Sequence, residues 1–147
     1  MILSRVMSSF LLNEKLLHYK NVIELPLSTV LLNFTELPWV FLVPRRMNIV
    51  QMNQLEINDQ LQLMKEISWM SNIMENLFPC DRLNVAAIGN KTPQLHVHII
   101  CRSENDGYWP ETVWQYQCQK LSDNEYVRRH EQLKTFCNSR SEDIVSF

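Results

Sequence analysis

Two histidines and a glutamine recur at every second position between residues 94 and 98. Successive side chains of a β-strand point to opposite faces, so this spacing predicts that Gln94, His96 and His98 share one polar face. Side chains two positions apart on one face lie roughly 6.5–7 Å from each other, which lets two imidazoles contact one phosphate group. The spacing therefore predicts a site for phosphoryl chemistry.

A neutral imidazole can displace a leaving group from phosphorus and form a phosphoramidate, which water then hydrolyses. We predict this nucleophilic role for His96. An imidazole with an ordinary pKa near 6.5 can become cationic, so His98 is predicted to steady phosphate oxygens or to protonate the leaving group. The turn from Gly89 to Thr92 is predicted to add backbone N–H groups and hydroxyls, with further charge from Lys91.

Two alternatives compete with this interpretation. In the first, the histidines are polar residues of a half-exposed strand and have no catalytic role. In the second, the H-x-H pair binds zinc, which needs three protein ligands in a catalytic site and about four in a structural one. His18 and His130 lie far off in the sequence on predicted helices, so no third ligand is evident and no metal site is predicted.

Composition limits the classes of protein and partner. The chain has 147 residues, of which 46% are hydrophobic and 20% are charged, and this profile predicts one globular domain over 1–147. A net charge of −2 argues against binding to a nucleic acid polymer or to an anionic membrane. The four cysteines lack zinc-site spacing, so they are predicted to be free thiols. Arg5 interrupts the apolar N-terminus, which indicates neither a signal peptide nor a membrane span and favours a cytoplasmic location.

Short runs rich in β-branched and aromatic residues predict an antiparallel sheet. The predicted strands are Val22–Leu25, Ser28–Asn33, Trp39–Pro44, Arg82–Ile88 and Gln94–Arg102. The last of these would direct Leu95, Val97, Ile99 and Cys101 into the core, on the face opposite the histidines.

Three segments show helical patterns. A short helix is predicted over Phe10–His18 with Ser9 as its N-cap, and a long one over Asp59–Phe78 with Asn58 as its cap. The long helix carries an apolar stripe formed by Leu63, Ile67, Met70, Met74 and Leu77. The S-x-x-E capping box that begins at Ser122 predicts a C-terminal helix over 122–137.

The run from Gln94 to Arg102 resembles the signature of the histidine triad superfamily, in which three histidines alternate with apolar residues. The wider pattern, from Asn84 to His98 with Trp109-Pro110 and Val113-Trp114 downstream, resembles a bacterial subgroup described as diadenosine tetraphosphate hydrolase-like. The resemblance covers roughly Val22 to Trp114. It implies an α+β fold with a mainly antiparallel sheet of about five strands, a long helix packed on the sheet, and a homodimer that extends the sheet.

The resemblance also implies roles for particular residues. His96 corresponds to the family's nucleophile and His98 to the third histidine. Gln94 replaces the first histidine, and because an amide cannot carry a proton at neutral pH, Gln94 keeps a positioning role and loses any acid-base role. From the residues themselves, Trp109 and Trp114 either stack on a base, cover the site of a partner subunit or pack within a C-terminal loop, and the sequence leaves these alternatives open.

Nucleotide-binding positions follow from the same resemblance. Asn33 matches a position that contacts the ribose. Gly89, Asn90 and Lys91 match a glycine-led phosphate loop, although Asn90 stands where glutamine is usual and Lys91 where a small hydroxyl is common.

The resemblance implies a hydrolase or transferase that cleaves a nucleotide conjugate at its α-phosphate through a covalent nucleotidyl-histidine. The conjugate is a dinucleoside polyphosphate or a nucleoside phosphoramidate. No cofactor is required, and Mg²⁺ is compatible with a polyphosphate substrate. The alternative is a nucleotide-binding or protein-interaction module with little or no turnover.

Overall fold

The computed structural model describes residues 10–145, in which five strands form one antiparallel sheet. The strands lie in the order β1-β2-β3-β5-β4 across the sheet. Their bounds are β1 Lys20–Glu24, β2 Ser28–Leu32, β3 Trp39–Pro44, β4 Arg82–Ala86 and β5 Val97–Arg102. The predicted α+β class is confirmed, and all five strands lie where the sequence predicts strands.

Two helices, α1 (Ile57–Leu77) and α2 (Asp123–Ser139), pack against one face of the sheet and enclose the main hydrophobic core. Single 3₁₀ turns lie at Glu14–Leu16, Met52–Gln54 and Val113–Gln115. Among the residues that the structure describes, no helix has the length and apolar character needed to cross a membrane.

The apolar stripe predicted for α1 is the surface that this helix buries. Four of its members are buried and Leu77 packs at the edge of the core. Glu66 shares the buried face, and its Oε1 accepts a hydrogen bond from the backbone N–H of Leu27 at 2.6 Å. This bond attaches α1 to the turn between β1 and β2.

The helix starts are less accurately predicted than the helices themselves. Residue Glu56, not Asn58, occupies the N-cap position of α1, and no side chain caps that end. At the start of α2, the predicted capping box of Ser122 and Glu125 is confirmed, because each side chain bonds the other residue's backbone N–H. The cap of α2 was predictable because it is made within four consecutive residues.

The helix predicted over Phe10–His18 is wrong. The chain forms a single 3₁₀ turn at Glu14–Leu16, capped by the side chain of Asn13, while Ser9 lies outside the described residues. The backbone N–H of Asn13 and the carbonyl of Leu11 both bond the side chain of Gln94. These long-range bonds replace the hydrogen bonds that a helix would make within the segment.

The second face of the sheet carries a smaller hydrophobic cluster. Trp39, Phe41 and Ile100 contribute to it from the sheet, and Leu16 and Val113 cover it from the flanking segments. The sequence predicted an open polar face here. The structure shows a buried aromatic face, because the N-terminal segment and the chain around residue 113 close over it.

The strand that carries the histidines begins later than predicted. β5 starts at Val97, and β4 ends at Ala86 rather than Ile88. Val97 and Ile99 face the helices as predicted, whereas His98 lies on the aromatic face. Gln94 and His96 therefore precede the strand and are not held by its ladder.

Candidate active site

The imidazole of His96 is held in one orientation by the main chain just before it. Its Nδ1 lies 2.7 Å from the carbonyl oxygen of Gln94, and the side chain is only 6% exposed. A carbonyl can only accept a hydrogen bond, so Nδ1 carries a proton, and in the neutral imidazole the lone pair is on Nε2. This is the tautomer that a nucleophilic imidazole attacking through Nε2 needs.

His96 lines a cavity of about 500 Å³. The other lining residues are Ile88, Gly89, Asn90, Lys91, Thr92 and Trp114. The structure thus brings the predicted phosphate loop and the predicted nucleophile together at one cavity. Trp114 also lines it, which places this indole where a base could contact it.

Close approach of the loop to His96 depends on Gly89. A Cβ built on this residue would lie 3.1 Å from Cε1 of His96 and 3.1 Å from the carbonyl oxygen of Thr92. Both distances are tighter than ordinary van der Waals contact. Glycine therefore lets the backbone of the loop lie directly against the imidazole.

Substituting Gly89 by alanine is expected to lower the free energy of unfolding by about 1–3 kcal/mol, as overpacking does, and to shift the His96 ring resonances. Thermal unfolding and imidazole NMR spectra measure the two effects. Gly107→Ala is the matched control, because its φ of 87° strains alanine although no atom lies within 4 Å of the added Cβ. If Gly107→Ala perturbs His96 as strongly, the proposed contact at Gly89 is refuted.

The second histidine has both ring nitrogens engaged. Nδ1 of His98 lies 3.1 Å from the indole Nε1 of Trp39, and its Nε2 lies 2.8 Å from the carbonyl oxygen of Ile88. Burial lowers the pKa of His98 from 6.5 to about 4; the bond to Ile88 opposes this shift and the nearby His96 adds to it. The structure thus differs from the cationic His98 that the sequence predicts, because this imidazole is neutral at pH 7.

Gln94 directs its side chain away from the two imidazoles. Its Oε1 accepts from the N–H of Asn13 at 2.8 Å, and its Nε2 donates to the carbonyl of Leu11 at 2.9 Å. Its contact with His96 is made by the main-chain carbonyl. The positioning role predicted for this residue therefore resides in its backbone, while its amide holds the N-terminal segment.

Asn33 does not line the cavity. It is 5% exposed, and its Oδ1 accepts from the backbone N–H of Thr35 at 3.2 Å. The ribose contact implied by the resemblance stays a prediction. In this structure the side chain shapes the turn after β2.

Positive charge lies at the predicted phosphate loop, although the whole chain is slightly acidic. Lys91 lines the cavity, and Nζ of Lys15 donates to the carbonyl of Lys91 at 2.6 Å. Lys15 was not singled out from the sequence, because its contact with the loop spans 76 positions. Among residues 10–145, no group of three His, Cys, Asp or Glu side chains is arranged to hold a metal ion.

Comparison with known proteins identifies the family. The HIT domain model matches residues 17–105, which is more than half of the chain. The chain belongs to the HIT family. HIT proteins are generally nucleotide hydrolases or transferases. No curated protein matches this HIT chain significantly.

Solved structures agree with the HIT assignment. A histidine triad protein from Bradyrhizobium japonicum is 38% identical with a TM-score of 0.81, over 86% of this chain and 97% of that chain. One from Marinobacter aquaeolei VT8 is 36% identical with a TM-score of 0.82, over 92% of this chain and 98% of that chain. One from Sinorhizobium meliloti 1021 is 29% identical with a TM-score of 0.80, over 86% and 96%. These similarities support the fold assignment for the whole described core.

Proposed function

We propose that this HIT protein cleaves nucleotide conjugates at the α-phosphorus through a covalent nucleotidyl intermediate on His96. The observation that carries the proposal is the imidazole of His96, whose Nδ1–H is held by the Gln94 carbonyl at 2.7 Å beside the cavity of the phosphate loop. The held Nδ1–H leaves Nε2 as the nucleophilic atom.

The reaction takes place in two displacements. Nε2 of His96 attacks the α-phosphorus, and the bond between phosphorus and the leaving group breaks with its electron pair going to the leaving group. Water then attacks the same phosphorus and releases a proton to solvent, and the N–P bond breaks with its electron pair returning to Nε2. A nucleoside monophosphate leaves, and the neutral imidazole is restored. The Gln94 carbonyl stabilises the positive charge that develops on the ring while the N–P bond exists.

The phosphate loop supports a substrate with a polyphosphate linkage. Lys91 and Lys15 place two ammonium groups near the loop, and cations there stabilise the charge on phosphate oxygens. We therefore propose dinucleoside polyphosphates, as in the diadenosine tetraphosphate hydrolase-like subgroup, ahead of nucleoside phosphoramidates. No cofactor is needed in this scheme, and Mg²⁺ would enter with the polyphosphate. A cytoplasmic location remains a prediction from the sequence.

A panel of adenosine and guanosine conjugates tests the proposal by intact mass spectrometry. Diadenosine tetraphosphate and adenosine phosphoramidate are the two principal members. We expect an adenylyl adduct on the wild-type protein and none on His96→Ala. A panel that yields neither adduct nor product would refute the enzyme and favour a nucleotide-binding module.

We also propose that a second copy of this chain binds along β4. β4 is the last strand in the order, so within the described residues its outer backbone groups have no strand partner. Val85 pairs with Ile99 and so shares the apolar face, yet it is 46% exposed. Antiparallel pairing of two β4 strands would complete the edge of both sheets.

The mass of the wild-type protein in solution, measured by light scattering at micromolar concentration, is expected to be that of a dimer. Val85→Lys is expected to shift the mass to that of a monomer, because it places two ammonium groups in the paired edge. Val127→Lys is the matched control, since Val127 is 45% exposed on α2. A monomeric wild type, or a dimer that Val85→Lys leaves intact, would contradict this interface.

A further inference from the structure

Trp39 donates a hydrogen bond from its indole to the imidazole of His98. It lies at the start of β3 and is 8% exposed. An indole N–H can only donate, so the Trp39 bond requires a lone pair on Nδ1 of His98. Nothing in the amino-acid sequence singled out this tryptophan, whose partner lies 59 positions away.

The other ring nitrogen of His98, Nε2, must be protonated. Its partner is the carbonyl oxygen of Ile88, which can only accept, so Nε2 must carry the proton. One donor and one acceptor therefore select a single neutral tautomer. A second proton on Nδ1 would face the indole N–H of Trp39, donor against donor, and would break the bond.

These two bonds connect the sheet to the phosphate loop. Ile88 immediately precedes Gly89, whose backbone lies against the His96 ring, so the position of Ile88 determines how close the loop comes to the nucleophile. The rings of Trp39 and Trp114 are also in edge contact, with centroids 5.9 Å apart. Trp39 thus contacts His98, which bonds the loop, and also Trp114, which lines the cavity.

We propose that Trp39 is a positioning residue of the active site, which acts through His98 to hold the loop at Ile88 and Gly89 against His96. The proposal rests on the proposed function for its kinetic consequence, but its structural consequence is independent of any activity. In this arrangement His98 connects Trp39 to the loop and does not protonate the leaving group, which departs as an anion or takes its proton from solvent.

Among the described residues, four rings lie in contact with the imidazole of His98. β3 contributes Trp39 and Phe41, the downstream 3₁₀ turn contributes Trp114, and β5 contributes His96. Among these rings only His96 can titrate near neutral pH, and its ring centroid lies 4.9 Å from that of His98. A change in the titration of His98 after substitution of Trp39 would therefore report the lost indole bond.

The test is Trp39→Phe, which keeps an aromatic ring and removes the N–H donor. Imidazole ¹⁵N NMR is expected to show loss of the single tautomer and a rise in the pKa of His98, because a proton on Nδ1 no longer faces the indole N–H. Burial, which is the main cause of the lowered pKa, persists in this variant and still holds the pKa below 6.5. The value of kcat is expected to fall about 10-fold to 10²-fold, with a smaller change in KM, because a misplaced loop affects the reacting geometry. Unchanged titration of His98 in Trp39→Phe would overturn the proposal.

Trp69→Phe is the matched control. Trp69 is 3% exposed on α1, and its Nε1 donates to the carbonyl of Arg140 at 3.3 Å, so this variant also loses one indole hydrogen bond. It is expected to leave the titration of His98 and the value of kcat unchanged. If Trp69→Phe alters both as much as Trp39→Phe does, the effect is general destabilisation and the proposal fails.

The two proposals can fail separately. A wild-type protein without turnover on the conjugate panel would refute the proposed function, while the titration of His98 would still decide the role of Trp39. An active wild type in which Trp39→Phe changes neither the titration nor kcat would refute the role of Trp39 alone.

Discussion

Turnover of a nucleotide conjugate is expected to fall by more than about 10³-fold in His96→Ala, while nucleotide binding persists. The variant removes the atom that forms the bond to phosphorus, and no neighbouring group can replace it. The nearest imidazole, His98, has both nitrogens bonded, to the indole of Trp39 and to the carbonyl of Ile88. Steady-state kinetics and calorimetric titration with a nonhydrolysable nucleotide analogue measure the two effects.

The control for this experiment is His18→Ala. His18 is exposed and lies in the turn before β1, where its ring makes an edge contact with Tyr19. Its removal is expected to leave kcat unchanged. Residual activity of His96→Ala within tenfold of the wild type would mean that another group attacks phosphorus, and the covalent mechanism would be wrong.

Loss of the buried ion pair between the last residue of β5 and the loop that follows it is expected to cause the largest loss of stability. Arg102 and Asp106 have side chains only 2% and 5% exposed, and Nε of Arg102 lies 2.6 Å from Oδ2 of Asp106. Arg102 also donates to Oδ1 of Asn84 and to the carbonyl of Glu111, so it joins β4 to the loop that leads to the cavity. Asp106→Ala would leave this guanidinium buried without its counter-ion.

The free energy of unfolding of Asp106→Ala is expected to fall by about 3–5 kcal/mol, measured by urea denaturation at pH 7. The control is Asp59→Ala, which breaks the more exposed pair with Arg46, whose side chain is 46% exposed. That loss is expected to be about 1 kcal/mol or less, because water screens the pair. Equal losses in the two variants would show that burial of the Arg102 pair adds nothing to its strength.

The same pair predicts a pH dependence. Burial by itself raises the pKa of Asp106, but the hydrogen bonds from Arg102, Tyr108 and Ser103 outweigh it and hold the pKa below its ordinary value of 3.8. A carboxyl whose pKa is lowered by folding contributes stability above its unfolded pKa and loses it as the pH falls through the folded value. The stability difference between the wild type and Asp106→Ala is therefore expected to shrink below about pH 4.

Much of the fold could be predicted because it depends on local periodicity. The alternation of Val97 and Ile99 determined which face of β5 meets the helices, and the stripe from Leu63 to Met74 determined the buried face of α1. These patterns are reliable because each face must remove its apolar side chains from water wherever the element packs. The predicted nucleophile and phosphate loop also came from short segments, and the structure brings them to one cavity.

The weaker predictions concern contacts between distant segments. The side chain of Gln94 bonds residues 81 and 83 positions away, which removed the predicted N-terminal helix and took this amide out of the site. The side chain of Asn33 bonds Thr35 instead of lining the cavity. A hydrogen-bonding side chain can select among several partners, and its type alone does not say which of them the fold brings near.

The amino-acid sequence by itself predicted two imidazoles and an amide on one face of a single strand, beside a glycine-led loop. The structure places only His98 of these three within that strand. Only the tertiary structure decided their chemistry. Burial lowers the pKa of His98, while Trp39 from β3 and the Ile88 carbonyl from the loop select its tautomer. The Gln94 carbonyl holds a proton on Nδ1 of His96. The physical reason is that protonation depends on burial and on the donors and acceptors that surround a ring, and these come from separate segments of the chain.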